Sequence, residues 1–199
     1  MPGSDRAFRR NASEFAAHLS SLLTRTVTDH PLVCRFHEEV GIVTALIRFK
    51  GATRRERIVT LGNGCQIYVF QRVLPNPEDT SKVTTAESSY SYGLDRDLEN
   101  DWLIRYDYVP ERAERDPEYN YPVGHVHFNG YSETYQAFEI ADKKPLYKLH
   151  FPTRRVSLED FVEHLIWELG VPTKQGDEQT MRLLAESREK FENEKRTKD

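Results

Sequence analysis

The segment RERIVTLGNGCQIYVFQRVL (55–74) constrains the fold of this chain more than any other part of it. Two runs rich in β-branched and aromatic residues flank Gly62-Asn63-Gly64, and an Asn-Gly pair suits the positive φ angles of a type I′ turn. The segment therefore predicts a β-hairpin, whose two strands are antiparallel.

Other segments with the composition of strands lie before and after this hairpin. They alternate apolar and polar side chains or are rich in β-branched and aromatic residues. They are LVCRF (32–36), GIVTALIRF (41–49), SSYSYGL (88–94), DWLIRYDYVP (101–110) and PLYKLHF (145–151). We expect the first two to form a second hairpin, and residues 76–88 to form an exposed loop.

Helices are predicted at both ends of the chain. Residues 5–23 place apolar side chains at helical spacing. Ser157 followed by Asp160 resembles a capping box and introduces a continuous apolar helical face. Residues 177–195 predict a further helix with few apolar side chains among dense mixed charges.

The order of these elements predicts an α+β protein. At 199 residues the chain is long enough for one domain with a sizeable core. We expect a single domain over residues 1–172, with a mainly antiparallel sheet packed by N-terminal and C-terminal helices. Residues 173–199 are expected to form a peripheral charged C-terminal helix.

Charge and composition exclude several classes of protein. The net charge of −4 argues against nucleic-acid binding by the whole surface, although residues 1–74 carry 11 Lys and Arg against 6 Asp and Glu. The chain has no P-loop, GxGxxG, GxSxG, HExxH or paired CxxC motif. It has two cysteines and no apolar run that could span a bilayer or form a secretory signal, which predicts a cytoplasmic protein without a membrane partner.

The segment PVGHVHFNG (122–130) carries the strongest candidate for chemistry. If it forms a strand, the imidazoles of His125 and His127 point to the same side. They could then act as general acid and base on RNA, or share a metal with His150 or Asp107 as a third ligand. The alternative is two polar residues on a solvated face, and the sequence does not decide between the three roles.

Aromatic and basic residues near this segment suggest nucleic-acid contacts. Eight of the ten tyrosines fall between residues 90 and 135. Tyr106 and Tyr108 are candidates for base stacking and Arg105 for phosphate binding, with burial of the tyrosines in a sheet as the alternative.

Two further basic clusters could contact phosphate. Arg154 and Arg155 precede the start of the predicted helix at Ser157, where either a bound anion or an internal acidic partner would offset their charge. The loop KGATRRER (50–57) offers additional phosphate-contact candidates, namely Lys50, Arg54, Arg55 and Arg57.

The region from about 102 to 171 resembles the TumE family of bacterial toxin-like proteins. The shared outline is a WLIRYDY strand (102–108), an acidic loop with proline (109–122), a His-x-His strand (125–127) and a helix introduced by SLED (157–160). Of the residues at these positions, His125 and His127 carry over from the family. The resemblance implies a DNA-binding antitoxin as partner and a nucleic-acid or translation target.

We therefore predict a toxin-like protein of a bacterial toxin–antitoxin or defence locus that acts on RNA by histidine acid–base chemistry. In this hypothesis His125 and His127 are acid and base, and neither a metal nor another cofactor is required. A non-enzymatic module that binds a regulator or antitoxin is the alternative, and a histidine–metal hydrolase is a second one. The sequence does not decide whether the protein is an enzyme.

Overall fold

The structure is a computed structural model that describes residues 2–39, 41–79, 82–94, 102–110, 122–129 and 149–195. Three helices and eight strands are defined in this part of the chain. In chain order they are α1 (Pro2–Thr26), β1 (Leu32–Glu39), β2 (Ile42–Phe49), β3 (Val59–Thr60), β4 (Gln66–Pro75), β5 (Val83–Gly93), β6 (Trp102–Tyr108), β7 (Gly124–Phe128), β8 (Phe151–Pro152), α2 (Leu158–Trp167) and α3 (Asp177–Lys195).

The strands form one antiparallel sheet in the order β1-β2-β4-β5-β6-β7-β8, and the short β3 pairs with β4. One face of this sheet is covered by the helices. Tyr90 in β5 stacks on Phe161 of α2 at 5.3 Å between ring centroids, and Tyr106 in β6 contacts the edge of the same ring. Helix α1 packs on β1, β2 and β5. The α+β prediction, with helices from both ends of the chain, is confirmed.

Helix α2 begins where the sequence predicted. The Ser157 hydroxyl accepts from the Asp160 backbone N–H at 3.1 Å, and the Asp160 carboxylate accepts from the Ser157 N–H at 3.2 Å. This reciprocal pair is a capping box, which satisfies two backbone donors at the helix start. It places the apolar face of α2, including Phe161, against the sheet.

The first half of α3 belongs to the core, although we expected the C-terminal helix to be peripheral. Leu183 and Leu184 are buried in the same cluster as the residues of the sheet. Ser187 donates a hydrogen bond to the Glu159 carboxylate of α2 and lies 2.8 Å from His18 Nε2 of α1. Helix α3 is therefore joined to both other helices by apolar and polar contacts. No helix in the ranges described above is both long and apolar enough to cross a membrane.

The hairpins at 32–49 and 55–74 are confirmed, but the predicted type I′ turn is wrong. Gly64 N–H donates to Leu61 O at 3.0 Å and Leu61 N–H donates to Cys65 O at 2.7 Å. These bonds enclose a three-residue loop in which Gly64 has φ of +82°. A three-residue loop needs one residue with positive φ, at its last position, whereas a two-residue type I′ turn needs positive φ at both central residues. Arg55–Arg57 is a 3₁₀ turn and not strand.

Two other details of the sheet differ from expectation. Strand β5 begins at Val83, so residues 83–88 are paired strand and not loop. A β-bulge between Tyr92 and Gly93 shifts the register opposite Trp102. Trp102 therefore packs with Tyr68, on the opposite face from Tyr106, whereas simple alternation puts Trp102 and Tyr106 together. Residues 145–148 of the last predicted strand lie outside the described part.

Candidate metal centre

The candidate site lies in two rows of side chains on the sheet face opposite the helices. Cross-strand partners project to the same face of a sheet, so the register decides which side chains meet. The first row consists of Arg48, Phe70, Ser89, Asp107 and His125, on β2, β4, β5, β6 and β7. The second row consists of Tyr68, Ser91, Arg105 and His127, on β4 to β7.

A third histidine completes the cluster. His150 lies two residues before Pro152, which is the β8 partner of His125, and therefore projects to the same face. Its ring centroid is 4.2 Å from that of His127 and 4.9 Å from that of His125. The His125 and His127 rings are 4.8 Å apart, and both residues are only 3% exposed. The expectation that these two imidazoles share a face is confirmed.

The hydrogen bond of His125 defines its tautomer. Nδ1 lies 2.6 Å from the backbone carbonyl oxygen of Pro122, which accepts hydrogen bonds but cannot donate them. His125 therefore donates through Nδ1 and carries its lone pair on Nε2. Burial lowers the pKa of His125, because it disfavours the charged imidazole. A neutral imidazole held by a carbonyl through its other nitrogen is how metal-binding histidines are oriented.

His127 is held by a carboxylate. Its Nε2 lies 3.4 Å from Asp107 Oδ2 and 3.2 Å from an Arg105 guanidinium nitrogen, whereas its buried Nδ1 has no hydrogen-bond partner among the described residues. We assign the proton to Nε2, which donates to Asp107, because the other tautomer would bury an N–H group without an acceptor; the nearby Arg105 nitrogen, itself a donor, then makes no hydrogen bond to Nε2. The lone pair is then on Nδ1. A carboxylate that orients a histidine in this way is a common neighbour of protein metal sites.

Asp107 is the charged centre of this network. Burial opposes its ionisation, but hydrogen bonds from His127 and Ser89 and the charge of Arg105 outweigh burial and lower the pKa of Asp107 to about 2. Arg105 donates to Asp107 Oδ2 through Nε at 2.8 Å. The carboxylate is therefore ionised and already accepts from three donors, which suits it to orient His127.

The three histidines offer nitrogen atoms that all lie within 4.8 Å of one another. In a tetrahedral zinc site, with Zn–N distances of about 2.0–2.1 Å, ligand nitrogens are roughly 3.3 Å apart. A separation of 4.8 Å would have to contract by about 1.5 Å for the nitrogens to bind one zinc ion. Three imidazoles with a fourth position open to solvent are a donor set of catalytic zinc sites.

The cluster forms one wall of an open pocket of about 440 Å³. Residues of β4, β5 and the loop before β3 form the wall of the pocket opposite the histidines. The lining residues are Arg54, Tyr68, Phe70, Glu87, Ser89, Arg105, Asp107, Val109, His125, His127 and His150. A ligand in this pocket would therefore meet the histidines and charged side chains of both signs.

Of the residues predicted to contact phosphate, Arg105 and Arg54 line the pocket with the histidines, and Arg105 donates through Nε to Asp107. The predicted Tyr106 and Arg154 lie on the helix-covered side of the sheet. Tyr106 contacts Phe161 and His164, and Arg154 lines a separate surface groove with Tyr106.

Arg155 and Tyr108 lie near each other and away from the histidine cluster. The Arg155 guanidinium donates to Thr85 and lies 5.9 Å from the Tyr108 ring centroid. The expected acidic partners of these arginines were Glu159 and Asp160; Glu159 instead accepts from Ser187, and Asp160 pairs with Arg188 and caps α2. Neither arginine is thus brought to His125 and His127. The tyrosines at 119, 121, 131 and 135 lie outside the described part.

Sequence reasoning named His150 and Asp107 as third ligands without deciding between them, and it missed the part played by Ser89, Tyr68 and Trp102. The signal for Ser89 was present in the segment SSYSYG (88–93), since the two-residue period of a strand puts Ser89 and Ser91 on the face opposite Tyr90 and Tyr92. The bulge that turns Trp102 toward Arg105 has no local signal in the sequence.

Comparison with protein-family models, with curated proteins and with solved structures found no match. The resemblance to TumE-like toxins therefore stays a prediction from short motifs, and the site has to be interpreted from its own geometry.

Proposed function

We propose that this protein is a metal-dependent hydrolase whose metal ion is held by His125, His127 and His150. The observation that carries the proposal is the convergence of three imidazoles, two of them oriented through their second nitrogen by a carbonyl and a carboxylate. Imidazole ligands suit zinc, copper, iron and nickel, and a tetrahedral site with an open position favours zinc.

The contact between the imidazole rings favours a shared ion over an acid–base pair. A phosphate held between an acid and a base needs two hydrogen bonds of about 2.8 Å plus its own width, so the two nitrogens would be roughly 6 Å or more apart. The nitrogens that the three histidines offer lie within 4.8 Å of one another, which is shorter than this separation.

The residues of the chain have distinct parts in such a reaction. A bound metal would supply a Lewis acid and lower the pKa of a coordinated water to about 7. Asp107 would hold His127 in the tautomer with its lone pair on Nδ1, and Pro122 would hold His125 in the one with its lone pair on Nε2. Arg105, fixed by Asp107 beside the cluster, contributes positive charge where negative charge develops.

The test is zinc binding by metal-free protein, measured in competition with a chromophoric chelator, followed by hydrolysis of p-nitrophenyl esters. We expect one zinc per chain and zinc-dependent hydrolysis, both lost in His150→Ala. His150 is only half-buried, so this variant is the least expected to disturb folding. His164→Ala is the matched control, because His164 lies on the helix side of the same sheet.

Two results would overturn the proposal. One is soluble, folded wild-type protein that binds no zinc, nickel, cobalt or copper ion at micromolar concentration. The other is a His150→Ala variant that binds zinc as the wild type does, because the metal would then lie elsewhere.

A toxin-like ribonuclease that uses His125 and His127 without a cofactor is the second candidate, favoured by the guanidinium of Arg105 next to His127. It predicts RNA cleavage that persists in the presence of a chelator, whereas a metal hydrolase would lose its activity. An RNA substrate, an antitoxin or regulator as partner, and a cytoplasmic location belong to this second candidate. The alternative of a non-enzymatic interaction module stays a prediction.

A further inference from the structure

Four Arg, Asp or Glu side chains line the histidine pocket among the described residues. Arg54 is the one of these four that has no ion-pair partner there. Glu87 pairs with Arg72 at 3.4 Å and Asp107 pairs with Arg105 at 2.8 Å. Arg54 forms no ion pair within the described ranges, and its buried Nε has no hydrogen-bond acceptor there. A buried donor of a cation without an acceptor is costly unless a ligand provides one. Among the described residues, the pocket therefore carries one positive charge that no ion pair offsets, even before a metal binds.

The guanidinium of Arg54 is held in a fixed plane. It lies 4.7 Å from the centroid of the Tyr68 ring, and the Arg105 guanidinium lies 4.9 Å from that of Trp102. Tyr68 and Trp102 pack in one small buried cluster. Stacking on an aromatic face occupies the plane of a guanidinium and leaves its N–H edge for an anion.

The loop that carries Arg54 is braced by its own hydrogen bonds. The Glu56 carboxylate accepts from the Ala52 N–H at 2.7 Å, and Arg57 Nε donates to Gly51 O at 3.2 Å. A Cβ atom at Gly51 would lie 2.8 Å from the backbone of Glu56, so the loop is closely packed. Arg54 is therefore presented by a defined loop conformation, and Arg57 is used to close the loop.

We propose that Arg54 binds a phosphate group of the substrate, so that the hydrolase acts on phosphate esters; this inference rests on the proposed function. A guanidinium matches phosphate with two parallel hydrogen bonds, which a carboxylic ester or an amide cannot accept in the same way. In the reaction a water oxygen forms a bond to phosphorus and the ester P–O bond breaks. The departing alcohol oxygen takes up the proton that the water released, while Arg54 offsets charge on the phosphate oxygens.

Binding of inorganic phosphate tests the inference. Wild type, Arg54→Gln and Arg55→Gln are compared by calorimetry, each with and without one equivalent of zinc. Arg55 is the next residue of the same loop and is exposed, so its variant removes the same charge without entering the pocket. Hydrolysis of p-nitrophenyl phosphate is measured beside that of p-nitrophenyl acetate.

We expect Arg54→Gln to weaken phosphate binding at least tenfold and to raise KM for p-nitrophenyl phosphate, while zinc affinity stays within twofold because Arg54 is not one of the proposed ligands. Arg55→Gln should bind phosphate as the wild type does. Equal phosphate affinity in Arg54→Gln and wild type would overturn the inference, as would hydrolysis of the acetate by protein that neither binds phosphate nor cleaves its ester. If the wild type binds no zinc, the proposed function fails, and the comparison without zinc still decides the role of Arg54.

Discussion

Replacement of Asp107 by asparagine tests the tautomer on which the metal centre depends. The change keeps the size of the side chain and removes its charge. The ionised Asp107 carboxylate has no hydrogen to donate. It can therefore only accept a hydrogen bond from His127 Nε2, as it does from Arg105 and Ser89. An asparagine can instead donate its amide N–H to Nε2, which moves the imidazole proton to Nδ1 and blocks the ligating lone pair.

The expected fall in zinc affinity results from the loss of the hydrogen bond between Asp107 and His127. Removing the hydrogen-bond partner of a ligating histidine lowers metal affinity about 10- to 100-fold, which corresponds to about 1.4–2.7 kcal/mol. Arg105 also loses its charged partner, so we expect the metal-free variant to be less stable by about 1–3 kcal/mol.

Zinc affinity is measured at pH 7.5 by competition with a chromophoric chelator, and stability by urea denaturation of the metal-free proteins. Glu87→Gln is the matched control, since Glu87 lines the same pocket but pairs with Arg72. The reasoning is refuted if folded Asp107→Asn binds zinc as the wild type does. It is refuted equally if Glu87→Gln loses as much affinity, because the effect would then be one of net charge and not of histidine orientation.

Three further results are expected. Ser157→Ala removes the acceptor for the Asp160 N–H and should lower the free energy of unfolding by about 1 kcal/mol in urea denaturation; no measurable change would contradict the capping role. Gly124→Ala puts a Cβ atom 2.8 Å from the Thr153 carbonyl oxygen, which should push β8 and His150 from β7 and weaken zinc binding in the competition assay, whereas wild-type affinity would show that β8 does not position His150. Zinc at 100 times its Kd should stabilise the wild type by about 2.7 kcal/mol, seen as a rise in Tm that His150→Ala does not show.

Local patterns were sufficient for most of the secondary structure. The runs at 32–36 and 41–49 form β1 and β2, and Ser157 with Asp160 begins α2 as expected. These features depend on residues close in sequence, because strand alternation and helix capping are set within a few positions. The turn type at Gly62–Gly64 was wrong, since the number of residues that a hairpin loop encloses depends on how its strands pair.

The sequence was less informative about which side chains lie on the same face of the sheet as the candidate site. Tyr106 lies against Phe161 and not beside the histidines, because alternation along β6 separates it from Arg105 and Asp107. The sequence shows that Tyr106 points to one face of the sheet and Arg105 and Asp107 to the other. It does not show which face the helices cover. Because they cover the face of Tyr106, both Tyr106 and Arg154 lie outside the candidate site.

The sequence by itself determined that His125 and His127 share a face of one strand, because the period of a strand is two residues. It also determined an antiparallel sheet with helices at both ends of the chain. Only the tertiary structure decided that His150 and Asp107 meet this pair, and that Arg54 enters the same pocket while Arg154 does not. The physical reason is that cross-strand register, a β-bulge and loop closure join residues far apart in sequence, and their free energies come from the packing of the whole sheet.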